Sequence, residues 1–167
     1  MKKIGLFCST DTNNTLEIAR KVQKAFGESD VELLSMDEAW QNGFASYDHL
    51  IVGAATWFDG ELPTYWDEFM PKLSTMDLSG KKVAIFGLGD QVKYSDNFVD
   101  GIGILANAFK SVGATIVGTT STEGYSFHQS QAVVDNQFLG LALDVDNEPE
   151  KSDGRIQEWV KQLKKAF

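Results

Sequence analysis

Five short apolar runs, Ile4–Cys8, Val31–Leu34, Leu50–Ala54, Val83–Leu88 and Thr115–Val117, recur along the chain with helical patterns between them. An apolar run this short and without alternation suits a strand covered on both faces, as the strands of parallel sheets are. Between the first two runs, Leu16, Ile18, Ala19, Val22, Ala25 and Phe26 fall near helical spacing, an amphipathic helix opened by Asn14 with Glu17 placed to complete a capping box. Further helices are predicted over 61–73, with Pro63 in the first turn, over 98–112, closed by Gly113, and at the C-terminus, where Arg155, Ile156, Trp159, Val160, Leu163 and Phe167 recur. Strands that alternate with helices need right-handed crossovers, so the expected fold is α/β, a doubly wound five-stranded parallel sheet with helices on both faces. Residues 119–137 are too polar and irregular to continue the fifth strand, and Phe138–Leu143 resumes an apolar run. The intervening segment reads as an insertion that interrupts the last strand. Ligands of such sheets sit beyond the carboxyl ends of the strands, which directs attention to the loops after strands one, three and four.

The 167 residues suit one domain spanning 1–167. With 24 acidic against 15 basic residues the net charge is -9, which repels nucleic-acid backbones and anionic lipid headgroups. No run approaches the roughly 18 apolar residues of a spanning helix. A single cysteine, Cys8, offers neither a disulfide nor zinc-ligand spacing, so a reducing compartment, the cytoplasm, is expected. Cys8 reads as a small core residue, and Trp40, Trp66 and Trp159 as helix-packing groups. His49 and His128 have no carboxylate or nucleophile partner in sequence context, which argues against hydrolase chemistry. Asp37, Glu38, Glu61, Asp67, Glu68, Asp96, Asp100, Asp144, Asp146, Glu148 and Glu150 read singly as solvated faces and together as a field that steers basic partners.

The first loop, Ser9-Thr10-Asp11-Thr12-Asn13-Asn14-Thr15, is dense in hydroxyls and leads straight into a helix. A helix N-terminus carries unpaired N–H donors and partial positive charge, so it can hold a phosphate with Ser9, Thr10, Thr12 and Thr15 adding hydroxyl bonds. The same residues would also serve simply to cap the helix. The loop has no Lys or Arg, unlike a P-loop, and no G-x-G-x-x-G turn, so a monophosphate fits better than a triphosphate or a dinucleotide.

After strand three, Ala54 to Leu62 carry Trp57 and Phe58; after strand four, Gly87 to Phe98 carry Tyr94. Either ring alone would cover the sheet end. Two rings at one sheet edge would hold a flat heteroaromatic ligand, each stack adding on the order of 1 kcal/mol beyond area burial.

These loops resemble the flavodoxin family: a Thr-x-Thr phosphate loop, a Thr-Trp-x-x-Gly-Glu loop and a Gly-x-Gly-Asp-Gln-x-x-Tyr loop, in that order. Glu123-Gly124-Tyr125-Ser126-Phe127, Phe138 to Asp144 and Asn147-Glu148-Pro149-Glu150 resemble the long-chain branch with its strand-five insertion. The resemblance implies strand order 2-1-3-4-5 with FMN at the switch point. It makes Ser9, Thr10, Asp11, Thr12, Asn13, Asn14 and Thr15 the phosphate loop, and Trp57 and Tyr94 the stacking rings. Ala55, Thr56, Phe58, Gly60, Gly89, Asp90, Asn97 and Phe98 are implied to line the flavin or its ribityl chain, some through backbone groups. The family usually has glycine where Asn13 stands, and Asn is among the least costly replacements at positive φ.

The resemblance further implies a low-potential one-electron carrier, not an enzyme: FMN shuttling between semiquinone and hydroquinone, a monomer that meets a flavodoxin/ferredoxin-type reductase and acceptor redox enzymes transiently. Turning of the 58–59 peptide is implied to stabilise the semiquinone, with Asp59 making that turn costlier than glycine would. Two other readings remain at this level. An FMN-dependent NAD(P)H:quinone reductase needs an open flavin face, which the two rings obstruct; a flavin-free receiver-like signalling module needs an acidic cluster, where these loops offer hydroxyls and aromatics.

Overall fold

The computed structural model describes residues 4–9, 13–41, 43–57 and 59–167. Five parallel strands, β1 (Ile4–Cys8), β2 (Val31–Ser35), β3 (His49–Ala55), β4 (Lys82–Leu88) and β5 (Thr115–Val117), pair in the order β2-β1-β3-β4-β5. The expected order is therefore met. β1 and β3 are buried almost throughout because side chains of both parities meet a helix layer.

Along β4 the alternation is explicit. Val83 and Ile85 join one core with Phe7, Val52, Trp66, Phe69, Ile102 and Phe109; Ala84, Phe86 and Leu88 join the other with Leu6, Ile18, Val22, Ile156 and Trp159. The second core lies under α1 (Asn13–Phe26) and α5 (Ser152–Ala166). The first lies under α3 (Thr64–Leu73) and α4 (Asp100–Ser111). A five-residue helix, α2 (Met36–Trp40), follows β2 and is too short to leave a periodic signal in the sequence. Its Trp40 meets the Phe69 ring edge-on at 5.2 Å, while Trp66 and Trp159 are fully buried.

Three helix starts differ from the sequence pattern. α1 begins at Asn13, so Asn14 and Glu17, expected to open it as a capping box, both lie inside the helix. α3 begins at Thr64 rather than Glu61, because Glu61 is held in an antiparallel bridge with Trp57. α4 begins at Asp100, after Val99 turns to φ 48°, and leaves Phe98 outside the helix.

The last strand is interrupted as expected. β5 pairs with the first half of β4, Lys82 opposite Thr115 to Ala84 opposite Val117. β9 (Leu141–Leu143) then returns to the second half of the same edge, Phe86 opposite Leu141 to Leu88 opposite Leu143. Between them β6 (Thr120–Ser121), β7 (Val133–Val134) and β8 (Gln137–Phe138) form a small antiparallel sheet, order β6-β8-β7. Its underside packs Phe98 against Tyr125, Phe127 and Phe138, with ring centres 5.3–5.9 Å apart.

Asp100 and Asp144, expected on solvated faces, are buried. Each carboxylate is satisfied by donors that tie the insertion and its return to the main sheet. Asp100 accepts from the Gln131 backbone N–H at 2.7 Å and from its side-chain amide at 3.2 Å. Asp144 accepts from the Gln91 N–H at 3.1 Å and the Asn147 N–H at 3.0 Å. His128, expected to lack a carboxylate partner, has Nδ1 2.6 Å from Asp96 on the exposed rim of the insertion. Two distant stretches of chain meet there, which residue spacing alone does not reveal.

Candidate functional site

At the carboxyl ends of β3, β4 and β9 the chain leaves a crevice of about 530 Å³, lined by Asn13, Asn14, Thr15, Ala55, Thr56, Trp57, Leu88, Gly89, Asp90, Tyr94, Val145 and Asp146. This is where the crossovers on either side of β1 diverge to opposite faces of the sheet. A larger cleft of about 810 Å³ lies between the insertion and α5, away from these strand ends.

Three loops build the crevice wall. Thr56 continues β3, donating its N–H to the Leu88 carbonyl at 3.0 Å, and its hydroxyl accepts from the Gly101 N–H at 3.0 Å. The loop after β3 is thereby fixed to both β4 and α4. Trp57 follows, half-buried. Gly89 donates its N–H to the Leu143 carbonyl at 3.0 Å, and Asp90 then folds its own loop: Oδ1 accepts from the Val92 N–H at 3.0 Å and the Lys93 N–H at 2.8 Å. That turn presents Tyr94, whose ring has the Lys93 ammonium 5.4 Å from its centre. Burial pushes the Asp90 carboxyl up, but the Lys93 N–H, the Asn147 amide and the Val92 N–H outweigh it and hold the group below the usual carboxylate value.

The floor is the first turn of α1. The N–H groups of a helix's opening residues have no partner within the helix. Beside them the Thr15 hydroxyl is buried and makes no hydrogen bond to any described residue. An orphaned buried hydroxyl costs free energy unless a ligand meets it, so this end of the crevice fits an anion with several acceptor oxygens. No Lys or Arg lines the crevice among the described residues, whereas Asp90 and Asp146 do. Its chemistry therefore suits an anionic tail held by neutral donors and a flat ring beside two aromatic side chains, in a field that opposes further negative charge.

Asn13, Asn14, Thr15, Ala55, Thr56, Trp57, Gly89, Asp90 and Tyr94 of the expected site thus share one crevice. Ser9 is buried directly after β1 and is not among the lining residues. Gly60 and Asn97 support the wall from behind: Gly60 turns at φ 90° against Asn97 and Asp100, and the Asn97 amide donates to Asp100 at 3.3 Å. Phe98 is wholly buried under the insertion, whose aromatic pocket accommodates an apolar ring better than a polar crevice would. Thr10, Asp11, Thr12 and Phe58 lie outside the described residues. Val145 and Asp146 were missed by the sequence reading; they line the crevice because β9 returns parallel to β4 and delivers its following loop to the same edge. The apolar run ending at Leu143 was the available signal.

Cys8 is fully buried at the end of β1, and burial, eased slightly by Arg20, pushes its thiol up to about 11. It is a protonated core residue at neutral pH, as expected.

A family model described as Flavodoxin matches residues 6–159. The flavodoxin of Synechococcus elongatus is 48% identical over 168 residues, covering 100% of this chain and 99% of its own length. That of Trichodesmium erythraeum is 46% identical over 169 residues, with the same coverage of 100% and 99%. Among solved structures, the Fusobacterium nucleatum flavodoxin bound to flavin mononucleotide is similar with TM-score 0.94 at 31% identity, covering 100% of this chain and 99% of that one. The resemblance carried by the three loops and the expected sheet are both borne out, and the match runs through the insertion as well as the strands. The chain belongs to the flavodoxin family.

Proposed function

We propose that FMN lies in the crevice at the carboxyl ends of β3, β4 and β9, its phosphate at the first turn of α1 and its ring between Trp57 and Tyr94. As a flavodoxin the chain is an FMN-based electron carrier rather than an enzyme. The observation that carries the placement is the meeting, in one cavity, of the unpartnered Thr15 hydroxyl with Trp57 and Tyr94.

Bound FMN supplies the one-electron chemistry. The chain's residues bind, orient and tune it. Thr15 donates a hydrogen bond to a phosphate oxygen, joined by the free N–H groups of the opening turn of α1. Trp57 and Tyr94 flank the ring and keep water from its faces. Asp90 and Asp146, with no Lys or Arg among the described lining residues, raise the cost of added negative charge, so the carrier is a strong reductant. Screening by water makes this a smaller effect than the desolvation imposed by the two rings.

With a net charge of -9, the partners this surface selects are basic: a flavodoxin/ferredoxin-type reductase and acceptor redox enzymes, met transiently by a monomer in the cytoplasm. No helix among the described residues is long and apolar enough to cross a membrane. Visible spectroscopy of the purified protein during stepwise reduction tests the function. Flavin bands that bleach in two separable one-electron steps support it; a colourless protein, or bleaching in one two-electron step, contradicts it.

A further inference from the structure

Asn147 stands at an unusual junction. Its side-chain amide nitrogen donates to Asp90 Oδ1 at 2.7 Å and to Asp144 at 2.9 Å (Oδ2) and 3.1 Å (Oδ1). The two carboxylates belong to different loops, one after β4 and one after β9, and a neutral double donor is what lets two like charges face a common point. On the Asp90 side, the same Oδ1 also receives the Val92 and Lys93 N–H groups that shape the turn leading to Tyr94. On the Asp144 side, the carboxylate receives the Gln91 N–H, and the Asn147 N–H completes its set. The 90–94 turn is therefore gripped through the two N–H groups of one amide nitrogen.

We infer that Asn147, which lies outside the crevice lining, is a positioning residue for the Asp90–Tyr94 turn, bridging the Asp90 and Asp144 carboxylates so that the Tyr94 side of the crevice is formed before ligand arrives. The consequence for FMN rests on the functional reading above; the bridge itself does not. A rigid wall spares the ligand the cost of ordering it, so loss of the bridge appears as weaker binding of the ring.

Two variants separate a hydrogen-bond bridge from space filling. Asn147→Asp keeps the side-chain shape but replaces both N–H donors with an acceptor and sets a third carboxylate beside two others. Asn147→Ala removes the shape and leaves the two charges open to water. A bridge makes Asn147→Asp the worse variant; a space-filling role makes Asn147→Ala the worse.

Amide hydrogen exchange on the ligand-free protein reads the bridge directly. Faster exchange at Gln91, Val92 and Lys93 is expected in Asn147→Ala and faster still in Asn147→Asp, with the β1 and β3 amides unchanged. FMN and riboflavin titrations should then show both ligands weakened alike, about fivefold in Asn147→Ala and about tenfold more in Asn147→Asp. Exchange at the three amides equal to the parent protein, or Asn147→Ala worse than Asn147→Asp, overturns the inference. Should Asn147→Asp fail to fold, Asn147→Leu, which fills the space without a donor, takes its place: exchange at the three amides faster than in the parent protein supports the bridge, and exchange equal to the parent's overturns it. A parent protein that binds no FMN sinks the functional reading while the exchange comparison still judges the bridge.

Discussion

Trp57 and Glu61 exchange both backbone hydrogen bonds, the Trp57 N–H donating to the Glu61 carbonyl at 2.7 Å and the Glu61 N–H returning to the Trp57 carbonyl at 2.8 Å. This bridge closes a tight turn under the proposed stacking ring, and Gly60 makes the turn feasible with φ 90°. A Cβ there would sit 2.5 Å from Asp100 Oδ2 and 3.0 Å from the Asn97 amide nitrogen. Gly60→Ala therefore combines left-handed strain with a clash against a buried carboxylate. The expected loss is on the order of 2–3 kcal/mol of stability, read from urea unfolding, with weaker flavin binding because the Trp57 loop is displaced.

Thr15→Val removes a buried hydroxyl that has no partner among the described residues and keeps the side-chain shape. The ligand-free protein should lose no stability, since nothing it bonds to is orphaned. FMN affinity should fall about tenfold while riboflavin affinity, which involves no phosphate, stays put. Equal effects on the two ligands would remove Thr15 from the phosphate site.

Glu148 joins the return of the chain to α5. The Lys151 ammonium, 2.7 Å away, is the main cause that holds its carboxyl down at about 2, against burial, with Gln91 and the Arg155 guanidinium at 3.0 Å helping. A carboxyl depressed on folding contributes stability that is present above its ordinary value of 4.5 and is lost as pH falls toward about 2. Glu148→Gln should thus lower the melting temperature by roughly 2–4 °C at pH 7, and the gap should close in the acid range. A gap that persists unchanged at pH 2.5 would contradict the ion-pair account.

The acidic surface makes a kinetic prediction. Electron delivery from a basic ferredoxin-type reductase should slow about tenfold or more as ionic strength rises from roughly 0.02 to 0.5 M, because screening shortens the reach of the field. Rates that stay flat across that range would show that charge does not steer the encounter.

Much of the fold was legible because each central strand is an unbroken apolar run, and the interrupted fifth strand announced itself by a polar stretch between Val117 and Phe138. Legibility ended where tertiary contact overrode local pattern. Glu61 looked helical beside Pro63 but is captured by Trp57, and Met36–Trp40 is a helix too short to have a period. In the site, Thr15, Trp57 and Tyr94 each had a local role open to them, capping the helix or covering the sheet end, and it was their joint placement at one sheet edge that drew attention to them. The surroundings of Phe98, placed by resemblance in the flavin loop, were not legible because the rings it packs on, Tyr125, Phe127 and Phe138, come from the insertion. Asp100 and Asp144 looked solvated because the donors that satisfy them, Gln131 and Gln91, are 31 and 53 residues away.

The function proposed above depends on FMN being stacked between Trp57 and Tyr94. Titrating FMN into the ligand-free protein while following flavin fluorescence measures it most directly, since stacking on indole and phenol rings quenches the emission. The parent protein should quench the emission stoichiometrically, one to one, and the Trp57→Ala/Tyr94→Ala double variant should bind about a hundredfold more weakly with most emission restored. Emission unchanged on mixing, or quenching and affinity that survive the double substitution intact, would contradict it.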